Sequence, residues 1–150
     1  VEEALYASHL NFTVLQPAMY VQALEATYHQ VLDTGRVVAP WSEHSNMTFV
    51  DYRDVAEVAA LAFIDTRLSY GTFELAGDGE PDSDRRNDES HRRTDIDRRG
   101  LREDAPGLQR MSTMFADYDQ HGFRHGNSIV LMVIRKRLPP SVDDFISRLN

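Results

Sequence analysis

The apolar positions along the chain change period several times, and each change marks a new element. Val1, Leu5 and Ser8 share one side of a helical wheel with Ala4 beside them, and Glu2 and Glu3 lie in the first turn, the pattern of an amphipathic helix. Phe12-Thr13-Val14-Leu15 is almost wholly apolar, as a parallel strand covered on both faces would be. Pro17 is expected to stop that strand and to open a helix from about Ala18 to Leu32, with Met19, Val21, Leu24, Tyr28, Val31 and Leu32 on its apolar side. Gly35 is placed to end this helix as a left-handed cap. Arg36 to Ala39 predicts a short strand, and Pro40 to Asn46 a polar loop holding Trp41.

The centre of the pattern is Met47 to Ala56. Thr48, Phe49 and Val50 are strand formers that run straight into a helix carrying Val55, Val58, Leu61, Phe63 and Ile64, with Asp51 or Asp54 as its cap. That helix gives out near Arg67, Gly71 turns the chain, and Thr72 to Gly77 predicts another strand. Helices and strands alternating in this way predict an α/β layer architecture.

From Asp78 to Asp104 the periodicity is lost: the segment holds seven arginines and ten acidic residues, with Ile96 and Leu101 its only large apolar side chains. It reads as a disordered or loosely attached linker. After Pro106, Leu108, Met111, Met114, Phe115 and Tyr118 recur at helical spacing up to His121-Gly122, with the methionines read as core. Ser128 to Arg137 is an apolar run with a basic end, suited to a helix C-terminus. Ser141 and Asp144 have capping-box spacing before a last helix faced by Val142, Phe145, Ile146 and Leu149.

Composition narrows the function classes. A net charge of -8 argues against binding nucleic acid or an anionic membrane surface. The absence of cysteine excludes disulfides, thiolate metal sites and a cysteine nucleophile, and a cytoplasmic location is expected. The longest apolar run, Ile129 to Ile134, falls short of the about 18 residues that cross a bilayer. At 150 residues, one domain with a real core is possible.

Four stretches in order carry a family resemblance: Val1-Glu2-Glu3-Ala4-Leu5, Phe12-Thr13-Val14-Leu15-Gln16-Pro17, Phe49-Val50-Asp51-Tyr52-Arg53-Asp54-Val55-Ala56 and Tyr70-Gly71-Thr72-Phe73-Glu74-Leu75-Ala76-Gly77. Together they resemble the C-terminal part of NmrA-like proteins, atypical short-chain dehydrogenases/reductases. Met114 to Tyr118 and Pro139 to Phe145 resemble the family's tail more loosely. The resemblance implies the C-terminal half of a Rossmann-like NAD(P)-binding fold. Residues 1–77 would be the C-terminal part of that domain, 78–106 a charged linker or insertion, and 107–150 a helical C-terminal subdomain. It also implies NAD or NADP as cofactor and a small-molecule substrate. Complete relatives are reductases or redox-sensing regulators. The family's glycine-rich phosphate loop has no counterpart in this chain, and the lysine found in many relatives would precede Val1. A chain opening on Val1 inside a helical pattern is accordingly expected to have a non-natural beginning, and the isolated chain is not expected to catalyse hydride transfer. The alternative is a non-catalytic interaction module, whose exposed sheet edge and charged segment serve a protein partner.

Gln16, Pro17, Ala18 and Met19 follow a strand's carboxyl end, where open α/β sheets hold ligands. The resemblance places this loop beside the nicotinamide and substrate, with Tyr20 on the substrate side; Tyr52, a second candidate for substrate contact, either faces the pocket or packs under the loop. No catalytic residue is assigned. Asp51, Arg53 and Asp54 suggest paired carboxylates for acid–base work, but capping plus an exposed ion pair explains them more simply. His121 and His125, preceded by Asp117 and Asp119, have metal-ligand spacing, yet Gly122 interrupts the helix they need, and Ser128 stands where a calcium loop requires glutamate. Ser8-His9 and His44-Ser45 are adjacent in sequence without a nucleophile elbow and read as loop residues.

The Arg/Asp/Ser-rich segment between two family-like blocks has two origins to separate, a natural insertion and an out-of-frame reading of the coding sequence. Under the second, resequencing the coding DNA finds compensating frameshifts flanking residues 78–104; an intact frame overturns it.

Overall fold

The computed structural model describes residues 2–37, 41, 45, 47–77, 106–123, 126 and 128–149, with backbone alone at 106–112 and 119. The elements in order are α1 (Glu2–Tyr6), β1 (Val14–Pro17), β2 (Met19–Tyr20), α2 (Ala23–Thr34), β3 (Phe49–Val50), α3 (Tyr52–Ile64), a 3-10 turn (Thr66–Leu68), β4 (Thr72–Leu75), α4 (Pro106–His121), α5 (Ser128–Arg135) and α6 (Val142–Ser147). β1 pairs with β4 in parallel, Val14 opposite Thr72 and Pro17 opposite Leu75. β2 pairs with β3 in parallel, Met19 opposite Phe49 and Tyr20 opposite Val50. Parallel pairing needs long crossovers, and α2 and α3 lie within them. The expected α/β alternation with parallel strands is therefore present.

The first strand ends at Pro17, as the sequence suggested, but no helix opens there. Pro17 is the last residue of β1, and the helix begins only at Ala23. Hydrogen-bond parity explains why proline is tolerated. Val14 N donates to Gly71 O at 2.9 Å and Ala18 N to Leu75 O at 2.8 Å, so even-numbered amides face β4. Leu15 and Pro17 face the other way, toward an edge that no described strand pairs. A residue without an N–H is acceptable in a sheet only on such a side.

At Ala18 the chain changes partner. The next amide, Met19 N, donates to Thr48 O at 3.2 Å, and Val21 N to Val50 O at 3.0 Å. On the other side of β3, Phe49 O accepts from Gly77 N at 2.7 Å. Carbonyls alternate in direction along a strand, so β3 lies between β2 and the residues that follow β4. Gly77 is required there, because a Cβ would stand 2.8 Å from Phe49 O.

The core forms around this junction. Ala18, Val50, Val58, Leu75, Ala76 and Leu131 make one buried cluster, with Leu15, Val55, Phe73, Phe123, Val130 and Ile134 packed against it. Leu75, Leu131, Val50 and Val58 are fully buried, each stabilising by roughly 1.5–3 kcal/mol. Leu131 brings α5 into the same core as α3 and β4. Met47 bridges to Phe123, and Thr48 N donates to Phe123 O at 2.8 Å, which ties the end of α4 to the start of β3. An aromatic series then runs from Phe123 through Tyr118 and Phe115 to Trp41, with ring centroids 4.8, 6.2 and 6.1 Å apart.

Local signals were obeyed more closely than boundaries. Gly35 ends α2 at φ 67, its amide bonded to Val31 O. Gly122, at φ 73, follows α4. Ser141 and Asp144 form the capping box of α6. The expected strand over Arg36 to Ala39 is not found at Arg36 and Val37, while Val38 and Ala39 lie outside the described residues, as does the 78–104 segment. Met114 is exposed rather than core. No helix among the described residues is long and apolar enough to cross a membrane.

Two glycine substitutions separate local strain from the β3 junction. Gly35→Ala has open space for its methyl group and costs only the left-handed backbone, about 1–2 kcal/mol. Gly77→Ala forces β3 away, costs about 1–3 kcal/mol, and speeds amide exchange at Met19 and Val21. Urea unfolding and hydrogen exchange read both effects.

Candidate functional site

Open α/β sheets hold their ligands at the carboxyl ends of parallel strands, so the candidate site is built from the residues that follow β2 and β3. β3 is followed by Asp51, whose backbone is extended and whose side chain caps α3 by accepting from Arg53 N at 2.9 Å. The same carboxylate accepts from Gln22 Nε2 at 2.7 Å and from Arg148 Nη2 at 3.0 Å. Gln22 returns a bond through its carbonyl, which accepts from Tyr52 N at 3.2 Å. Burial pushes the Asp51 carboxyl up, but the Arg53 amide, Gln22 and Arg148 together outweigh it and hold it below the usual carboxylate value.

Asp54 lies one turn further along α3 and is buried. Arg135 Nη1 stands 2.7 Å from its Oδ1, with the arginine side chain 1% and the aspartate side chain 6% exposed. The contact is an ion pair without hydrogen-bond alignment: Asp54 Oδ2 and Arg135 Nη1 have no hydrogen-bond partner. Arg135 also donates through Nε to Glu57 Oε2 at 2.9 Å, and Arg137 joins the same oxygen. Burial raises the Asp54 carboxyl above its ordinary value, against the pull of Arg135 and with the help of nearby Asp51. The hydrogen bond from Arg137 holds Glu57 low.

This arrangement fastens rather than reacts. Asp51 joins α2's entry, β3, α3 and the end of α6; Asp54 and Glu57 join α3 to α5. Neither aspartate has the exposure to reach a substrate. The capping half of the sequence reading is therefore right for Asp51, but the ion pair of Asp54 with Arg135 is buried, while Arg148, Glu57 and Arg137 keep their pairs partly exposed. Arg53 takes no part in them and lies over the Tyr52 ring at 5.8 Å. Sequence reasoning missed Gln22, Glu57, Arg135, Arg137 and Arg148. One signal was available: Asp54 and Glu57, three apart on α3, face the same way as the basic end of α5 needs.

The loop candidates divide. Ala18 is buried in the core, and Gln16, Pro17 and Met19 are half-buried. Gln16 Nε2 reaches Glu2 Oε1 at 3.4 Å. Tyr20 and Tyr52 are 43% and 47% exposed. The β2–β3 register, Tyr20 opposite Val50, brings both tyrosines to one end of the strand pair. Elsewhere, His121 Nδ1 pairs with Asp117 Oδ1 at 2.9 Å. His125 and the Asp119 side chain lie outside the described residues, and among those described no three His, Asp or Glu are grouped to hold a metal ion. Ser8 Oγ donates to Leu5 O at 2.7 Å, closing the turn after α1. His44 lies outside the described residues.

Compared by sequence, the chain matches no protein-family model and no curated protein. Compared by fold, it is similar to the crystal structure of a nucleoside-diphosphate-sugar epimerase from Staphylococcus aureus, with a TM-score of 0.72 and 10% identity. The match takes in 97% of this chain and 55% of that one. The two share a fold, a mixed α/β arrangement with parallel strands, and the chain spans little more than half the length of the protein it resembles.

Two substitutions test the fastening. Arg135→Met strands a buried carboxylate and costs about 3–5 kcal/mol in urea unfolding, whereas Asp54→Leu with Arg135→Met recovers most of that loss. Asp51 has a lowered value in the folded state, so its contribution is present above pH 3.8 and is lost as pH falls through that lowered value. The stability gap between the parent and Asp51→Asn, measured by denaturation from pH 7 to pH 2, therefore narrows below about pH 4.

Proposed function

We propose that this chain is the C-terminal part of an NmrA-like, NAD(P)-binding protein related to NAD(P)H-dependent reductases and redox-sensing regulators, and that it is not catalytic alone. The observation that carries the reading is the fold likeness itself, which takes in nearly all of this chain but only 55% of a nucleoside-diphosphate-sugar epimerase. The four ordered sequence stretches, from Val1 to Gly77, resemble the C-terminal part of the NmrA-like family. In this reading Gln16, Pro17, Ala18 and Met19 lie toward the nicotinamide end of the dinucleotide, and Tyr20 and Tyr52 toward a small-molecule substrate.

The described residues do not fit the dinucleotide's pyrophosphate. That group needs glycine amides at a strand-to-helix turn. Gly77 is packed against Phe49 O, and Gly126 against Glu74 and Ala76. The N-terminus of α3 is already occupied by its own Asp51. Phosphate binding is therefore assigned to the rest of the longer protein, and this chain supplies the strand ends beside it.

Titration of NADPH into the purified chain, followed by cofactor fluorescence or calorimetry, is expected to show no binding at micromolar concentrations. Micromolar affinity overturns the assignment.

A further inference from the structure

We draw no further inference here: the strongest candidate, the outer edge of β1 at Leu15 and Pro17, which no described strand pairs, carries nothing because nothing in the structure shows what covers it.

Discussion

The Asp51 carboxylate is where the separate parts of the chain are made to agree. It accepts from the first turn of α3, from Gln22 ahead of α2 and from Arg148 beyond α6. A buried carboxylate is costly unless its lone pairs are satisfied, and here three donors from different stretches satisfy them. Gln22 is itself fixed, because its carbonyl holds the Tyr52 amide. The strand end, the helix entry and the chain's last turn are thereby coupled through one side chain.

The same principle extends along α3 with a different balance. Asp54 is as buried as Asp51, yet it has one misaligned arginine in place of three aligned donors. Burial raises both carboxyls; the three donors outweigh it at Asp51, while at Asp54 burial and the neighbouring Asp51 charge prevail over the pull of Arg135. Arg135 also reaches Glu57 and sits one turn from Leu131, so charge and apolar burial hold α5 on the same side. The likeness to an epimerase fold at 10% identity shows a layer arrangement shared across widely different sequences.

What the sequence made legible was local. Gly35, the Asp51 cap and the Ser141–Asp144 box each depend on a few neighbouring residues, and the chain folds there as its own propensities direct. The helix expected after Pro17 was misplaced because Pro17 is held in β1, where its tolerance depends on which side of the strand has a partner, a fact set by Gly71 and Leu75 far along the chain. β2 is two residues long and exists only because β3 meets it, so no periodicity announces it. The charge pairs were hidden for a similar reason: Glu57 and Arg135 are 78 residues apart. Of the candidate site, the exposure of Tyr20 and Tyr52 at one end of the β2–β3 pair depends on a register that no local pattern carries. The burial of Ala18 followed from β3 lying beside it, which no local pattern encodes.

Pro17 has one more consequence, which concerns the outer side of β1. A foreign strand seeking to extend the sheet beyond β1 needs an amide at every second residue. It finds one at Leu15 and none at Pro17, so the ladder breaks within a single repeat. The outer side of β1 thus offers a neighbouring strand one main-chain donor where an uninterrupted strand would offer two, and the break falls at the residue that also ends the strand.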